Sequence, residues 1–165
     1  MLTNLTSNRR IDSARHMGSP QLALTTQITV HRPGLPATAR FRQWARAALI
    51  ESADVTLRLV DHDEGLTLNS MYRNRHYATN VLTFAYPETS PLSGDIVLCL
   101  PVIEQEAQEQ GKTFEAHLAH LTVHGMLHLQ GFDHETEEDA ELMEGLETEI
   151  LSGLGYPDPY AETVA

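Results

Sequence analysis

Hydrophobic and polar positions follow two different periods along this chain, and the switches between them mark out its elements. Leu22, Leu24, Ile28 and Val30 alternate with polar residues, which predicts a first strand over 22–30. After a turn at Pro33-Gly34, Phe41, Trp44, Ala45, Ala48 and Leu49 form an apolar stripe of helical spacing. That predicts a helix over 39–52 with Thr38 as its cap. Residues 55–60 alternate cleanly and read as a second strand, and Asp61 to Gly65 turn into a short helix over 66–74. A third strand over 81–86 is stopped by Pro87. A loop over 91–94 leads to residues 95–100, apolar at nearly every position and so predicted to be an interior strand.

The second half reads as helical. Pro101 suits the first turn of a helix running to about 110 and ended by Gly111, and Thr113 caps a longer one over 114–130. A last amphipathic helix over 135–151 presents Leu142, Leu146 and Ile150 on one side, with its many carboxylates as the solvated face. Residues 1–20 are polar without periodicity and read as a flexible tail, and 156–165 as a second tail, leaving one domain over 21–155. This order of elements predicts an α+β fold, a small mixed four-stranded sheet with helices packed on it.

Composition narrows the class. The chain has 165 residues and one cysteine, Cys99, so no intrachain disulfide can form, which fits a reducing cytoplasm. No apolar run is long enough to span a bilayer, and no apolar core of signal-peptide type follows the early arginines. The net charge of −12 is unevenly spread, with +4 on residues 1–75 and −16 on residues 76–165. Bulk charge therefore excludes a protein that coats nucleic acid, while a basic strip on the first half can still hold a phosphate backbone.

The chemistry concentrates in His124-Gly-Met-Leu-His128-Leu-Gln-Gly131-Phe-Asp-His134. On a helix, His124 and His128 project from one face one turn apart. Gly131 can take the left-handed conformation that ends a helix and turn His134 back toward them. Three neutral nitrogens converging with a fourth position open is the build of a catalytic zinc site. The spacing is that of the long zinc-protease signature, except that the glutamate serving there as general base is Gly125 here. His120 lies one turn earlier on the same face and can line the cleft, support a ligand or replace one. His117 reads as a surface residue. Asp133 can orient a ligand imidazole or cap the turn.

These residues also carry a family resemblance. The histidine stretch resembles the signature of the YbeY family of bacterial metallo-endoribonucleases, the ribosomal-RNA maturation factors. Leu68-Asn-Ser-Met-Tyr-Arg73 followed by Thr79-Asn-Val-Leu-Thr-Phe84 resembles that family's central block, and Gly94-Asp-Ile-Val-Leu-Cys99 its next strand. The resemblance implies a zincin-like domain with one zinc ion per chain held by His124, His128 and His134. It implies cleavage of single-stranded RNA in small-subunit ribosomal RNA 3′-end processing and ribosome quality control, in the cytoplasm, with ribosomal small-subunit proteins as partners and no membrane. Arg73 falls on an arginine needed for activity in that family. The chain departs from the pattern at Arg75-His76-Tyr77-Ala78, where the family has an acid and a proline, and at Phe132, where it has a tyrosine.

Two rivals differ in what they require. A metalloprotease needs a proton acceptor that Gly125 does not provide. A ribosome-assembly factor with structural zinc needs a fourth protein ligand, and His120 is the residue placed to supply it.

Overall fold

The computed structural model describes residues 18–87 and 89–161. Along the chain run β1 (Leu22–Ile28), α1 (Thr38–Ala47), β2 (Ala53–Val60), α2 (His62–Arg73), β3 (Val81–Tyr86), β4 (Leu92–Cys99), α3 (Leu100–Glu109), α4 (Phe114–Leu129) and α5 (Glu137–Gly153). The strands form one sheet in the order β1-β2-β4-β3. β1 and β4 flank β2 in parallel, and β3 closes the other edge antiparallel to β4. The predicted α+β class holds.

The sheet separates two apolar layers. Val55, Leu57, Leu59, Ile96 and Leu98 face the main core, which takes residues from α1, α3, α4 and α5. Val60, Leu82, Val97 and Cys99 face the other way and are covered by Leu68 of α2 with Ala78, Phe84 and Val102. β4 is buried on both faces, which is why its sequence lacks alternation.

Several boundaries differ from the sequence reading for local reasons. α2 begins four residues earlier than predicted, because the Asp61 carboxylate accepts the Glu64 N–H and acts as the cap. Thr38 lies inside α1 and caps nothing; Ala37 occupies that position without a side-chain bond. α5 buries Met143, Glu147 and Leu151 fully; of the predicted stripe, Leu146 and Ile150 pack against the core while Leu142 is 56% exposed.

The predicted first tail falls largely outside the described residues. Of the second, Tyr156 and Pro159 are tied to the domain. The Tyr156 hydroxyl accepts from Trp44 Nε1 at 3.1 Å, and Lys112 Nζ donates to the Pro159 carbonyl at 2.6 Å.

Candidate metal centre

α4 carries the site because it is the central helix. Eleven of its 16 residues are buried, and it packs on β3, β4 and three other helices. Thr113 caps its start by accepting the Ala116 N–H, as predicted. At Gly125 it passes so close to the sheet that a Cβ would stand 2.9 Å from Ile96 Cγ2. Position 125 thus faces β4, which gives the missing glutamate a packing reason as well as a chemical one.

The end of α4 turns as predicted. Gly131 has φ +103, its N–H donates to the His128 carbonyl, and the Phe132 N–H donates to the Leu127 carbonyl. This is the two-bond left-handed helix stop that glycine favours. Gln130 ties the turn to the loop after α1: Oε1 accepts the Ile50 and Glu51 N–H groups, and Nε2 donates to the Ala48 carbonyl.

The turn brings the three imidazoles together. Ring centroids lie 6.3 Å apart for His124 and His128, 5.6 Å for His124 and His134, and 6.2 Å for His128 and His134. Three imidazole nitrogens on one zinc at ~2.1 Å would set the rings about 5 Å apart, so the cluster is only slightly wider than a zinc cage.

Hydrogen bonds fix which nitrogens are available. His128 Nδ1 lies 3.0 Å from the Phe132 carbonyl. A carbonyl only accepts, so Nδ1 must carry the proton and the Nε2 lone pair is left for a ligand role. Burial pushes the His128 imidazole below the ordinary histidine range, opposed by that carbonyl and reinforced by His124 and His134, which favours the neutral form metals require. The Phe132 contribution is a backbone carbonyl, so the absent tyrosine hydroxyl leaves this bond intact.

His124 Nδ1 lies 3.2 Å from Glu147 Oε1. Glu147 is 0% exposed, a correction for this one residue, since the other α5 carboxylates form the solvated face expected of them. Its Oε1 also receives His120 Nε2 at 2.6 Å and the Tyr160 hydroxyl at 2.9 Å. Burial alone would push this carboxyl up, but the hydrogen bonds from His120 and His124 and their charge outweigh it and hold the group at about 2. An ionised carboxylate only accepts, so His124 holds its proton on Nδ1 and frees Nε2. Glu147 Oε2 and His120 Nδ1 are buried without a partner among the described residues.

His120 therefore spends Nε2 on Glu147 and flanks the site. His120, His124 and Glu147 also form a group able to hold a metal ion, offering ligand atoms within 4.8 Å of one another. His117, expected at the surface, is 3% exposed and bonds through Nε2 to Glu106 Oε1 at 2.9 Å. A cleft of about 770 Å³ runs beside His120 and His124, with His117, Lys112 and Tyr160 among its walls. Asp133 Oδ1 accepts the Glu135 N–H at 3.3 Å, and its charge acts on the His128 imidazole.

Arg73 lies apart from the imidazoles in its bonding. Nη2 donates to the Thr83 carbonyl of the edge strand β3 at 2.6 Å, and the guanidinium sits 5.1 Å over the Phe84 ring. Its other donors make no bond among the described residues. β3 in turn packs on α4, so this strand lies between the arginine and the histidine helix in the chain of contacts.

Glu147 is the residue that the sequence reading missed. A carboxylate spaced four residues from both Met143 and Leu151 sits on an apolar stripe, and that was the available signal.

Comparison with known proteins agrees with this geometry. A protein of Aromatoleum aromaticum named Endoribonuclease YbeY is 58% identical over 146 residues, covering 87% of this chain and 95% of its own. Those of Nitrosomonas europaea and Paraburkholderia phymatum, with the same name, are 56% and 53% identical; the matches cover 85% and 86% of this chain and 85% and 97% of theirs. A Thermotoga maritima protein solved in solution superposes with a TM-score of 0.55 at 25% identity, covering 86% of this chain and all of its own. Residues 35–155 match the family described as Endoribonuclease YbeY, and the chain belongs to that family.

Proposed function

We propose that this chain is a zinc-dependent endoribonuclease, specific for single strands, that acts in the cytoplasm on small-subunit ribosomal RNA during 3′-end maturation and ribosome quality control, alongside small-subunit ribosomal proteins. The observation that carries the metal reading is the pair of fixed tautomers. Acceptors that cannot donate hold the Nδ1 protons of His124 and His128, which leaves two Nε2 lone pairs beside His134. These three residues would hold one zinc ion. Bound zinc would supply a Lewis acid for a phosphoryl oxygen and bring the pKa of a coordinated water to about 7.

The chain's own residues do the rest. Arg73 is anchored through one nitrogen to β3, and its further guanidinium donors make no bond among the described residues, which suits it to grip a phosphate and offset charge developing there. The bond of His120 Nε2 to Glu147 supports a role beside the site rather than as a fourth ligand, and so an enzyme over a structural zinc. Position 125 faces Ile96, which disfavours a peptidase relying on a glutamate there.

The test joins metal analysis to cleavage of a single-stranded RNA by the native chain, His124→Ala and Arg73→Ala. The first variant is expected to lose metal and activity, and the second to lose activity while keeping metal. Full activity in chelator-treated protein would overturn the reading. The alternative cage of His120, His124 and Glu147 predicts that His128→Ala keeps its metal, whereas the three-histidine site predicts that it does not.

A further inference from the structure

We infer that Glu147 is a positioning residue that sets the metal affinity of this site through His124, and that Tyr160 and His120 hold Glu147 in place for that purpose. The inference rests on the three-histidine reading proposed above and goes beyond it, since Glu147 lies outside the histidine motif and on another helix.

Glu147 sits at 0% exposure on the inner face of α5, between Met143 and Leu151. Burying a carboxylate is costly unless donors surround it. Here a single oxygen gathers three donors from two parts of the chain: His120 and His124 of α4, and Tyr160 of the C-terminal segment. A purely structural role for this position would be met at lower cost by an apolar residue like its neighbours on the stripe.

What the charge achieves is specific to His124. An acceptor-only partner on Nδ1 dictates the tautomer, restrains the orientation of the ring, and makes Nε2 more basic. His128 obtains the first two effects from the Phe132 carbonyl, which has no charge to lend. Glu147 thus lends negative charge to the cluster through His124.

The neighbouring donors restrain the carboxylate. The His120 bond, at 2.6 Å, is the shortest of the three, and that ring is itself buried. Tyr160 adds its hydroxyl from a segment secured by Lys112 and by Asp158, whose Oδ1 accepts the Tyr160 N–H. Its side chain is 43% exposed, so its hydroxyl can be removed with little effect on packing.

The hydrogen-bond distances also argue against Glu147 as a direct ligand. Its Oε1 is already taken up by His120 Nε2 at 2.6 Å, His124 Nδ1 at 3.2 Å and the Tyr160 hydroxyl at 2.9 Å.

The test measures zinc affinity by competition with a chelating dye, and the visible spectrum of the cobalt-substituted protein. The proteins are the full-length native chain, Glu147→Gln, Tyr160→Phe and His128→Ala, each checked for native helix content. Glu147→Gln is expected to weaken zinc binding by about 10–100-fold and shift the cobalt bands while keeping the metal stoichiometry at one. Tyr160→Phe is expected to weaken it by a few-fold. Unchanged affinity and spectrum in Glu147→Gln overturn the inference. Complete loss of metal in Glu147→Gln, with metal retained in His128→Ala, also overturns it, because Glu147 would then be a ligand. If Glu147→Gln does not fold, Tyr160→Phe decides, and native affinity there is the overturning result. Failure of the native chain to bind zinc at all counts against the three-histidine reading, and is separate from each of these outcomes.

Discussion

Gly125 of α4 lies directly against Ile96 of β4, where a Cβ would approach Ile96 Cγ2 to 2.9 Å and Cδ1 to 3.2 Å. The residue that follows the first histidine of the motif is therefore part of the helix–sheet contact. Gly125→Ala is expected to destabilise the fold by about 1–3 kcal/mol through overpacking, read as a lower urea midpoint with an unchanged slope. Gly125→Glu is expected to cost more and to gain no peptidase activity, since the new side chain starts into β4. Peptide cleavage by a folded Gly125→Glu protein would contradict this placement.

The same motif contains a structural clamp. Gln130 accepts the Ile50 and Glu51 N–H groups and donates to the Ala48 and Met126 carbonyls, joining the end of α4 to the chain between α1 and β2. Gln130→Ala leaves these groups without a side-chain partner and is expected to lower stability by about 2 kcal/mol, with zinc affinity unchanged under native conditions. Denaturant melts and dye competition on one preparation separate the two effects. A weakened zinc site with unaltered stability would reverse the assignment.

How much was legible in the sequence follows from how local each feature is. His124 and His128 share a face by helix geometry alone, and Gly131 announces the turn that returns His134, so these three come together as expected. Glu147 and His117 did not show themselves for a common reason. Both were assigned to solvent because charged and imidazole side chains usually go there, but α4 is enclosed nearly all round and α5 turns Met143, Glu147 and Leu151 inward. One residue along the helix, a rotation of about 100° about its axis, separates that stripe from Leu142, Leu146 and Ile150. The order β1-β2-β4-β3 rests on pairings distant in sequence, about which local alternation says little.

His117 gives a pH dependence. Burial, its largest influence, holds this imidazole below the ordinary value of 6.5, although the hydrogen bond to Glu106 opposes the shift. The folded state thus binds fewer protons at this site than the unfolded chain. Its contribution to stability is complete above about 6.5 and is lost as pH falls through the lowered folded value. In the presence of chelator, the melting temperature is expected to fall from pH 7.5 to 5.5 by less in His117→Gln, which keeps a donor for Glu106 but cannot titrate. Equal slopes for the two proteins would remove His117 from the acid response.

Arg73 offers the sharpest separation between charge and geometry. Its guanidinium spends Nη2 on the Thr83 carbonyl and rests over Phe84, which fixes the direction of the remaining donors. A lysine at this position keeps the charge, but its single ammonium cannot both hold Thr83 and present a fork to a phosphate. Arg73→Lys is therefore expected to lower kcat on single-stranded RNA by about 10²–10³-fold, close to the loss in Arg73→Ala, with zinc content and melting temperature near native. Near-native turnover in the lysine variant would mean that position 73 contributes charge alone, and the anchoring bond to β3 would have no part in activity.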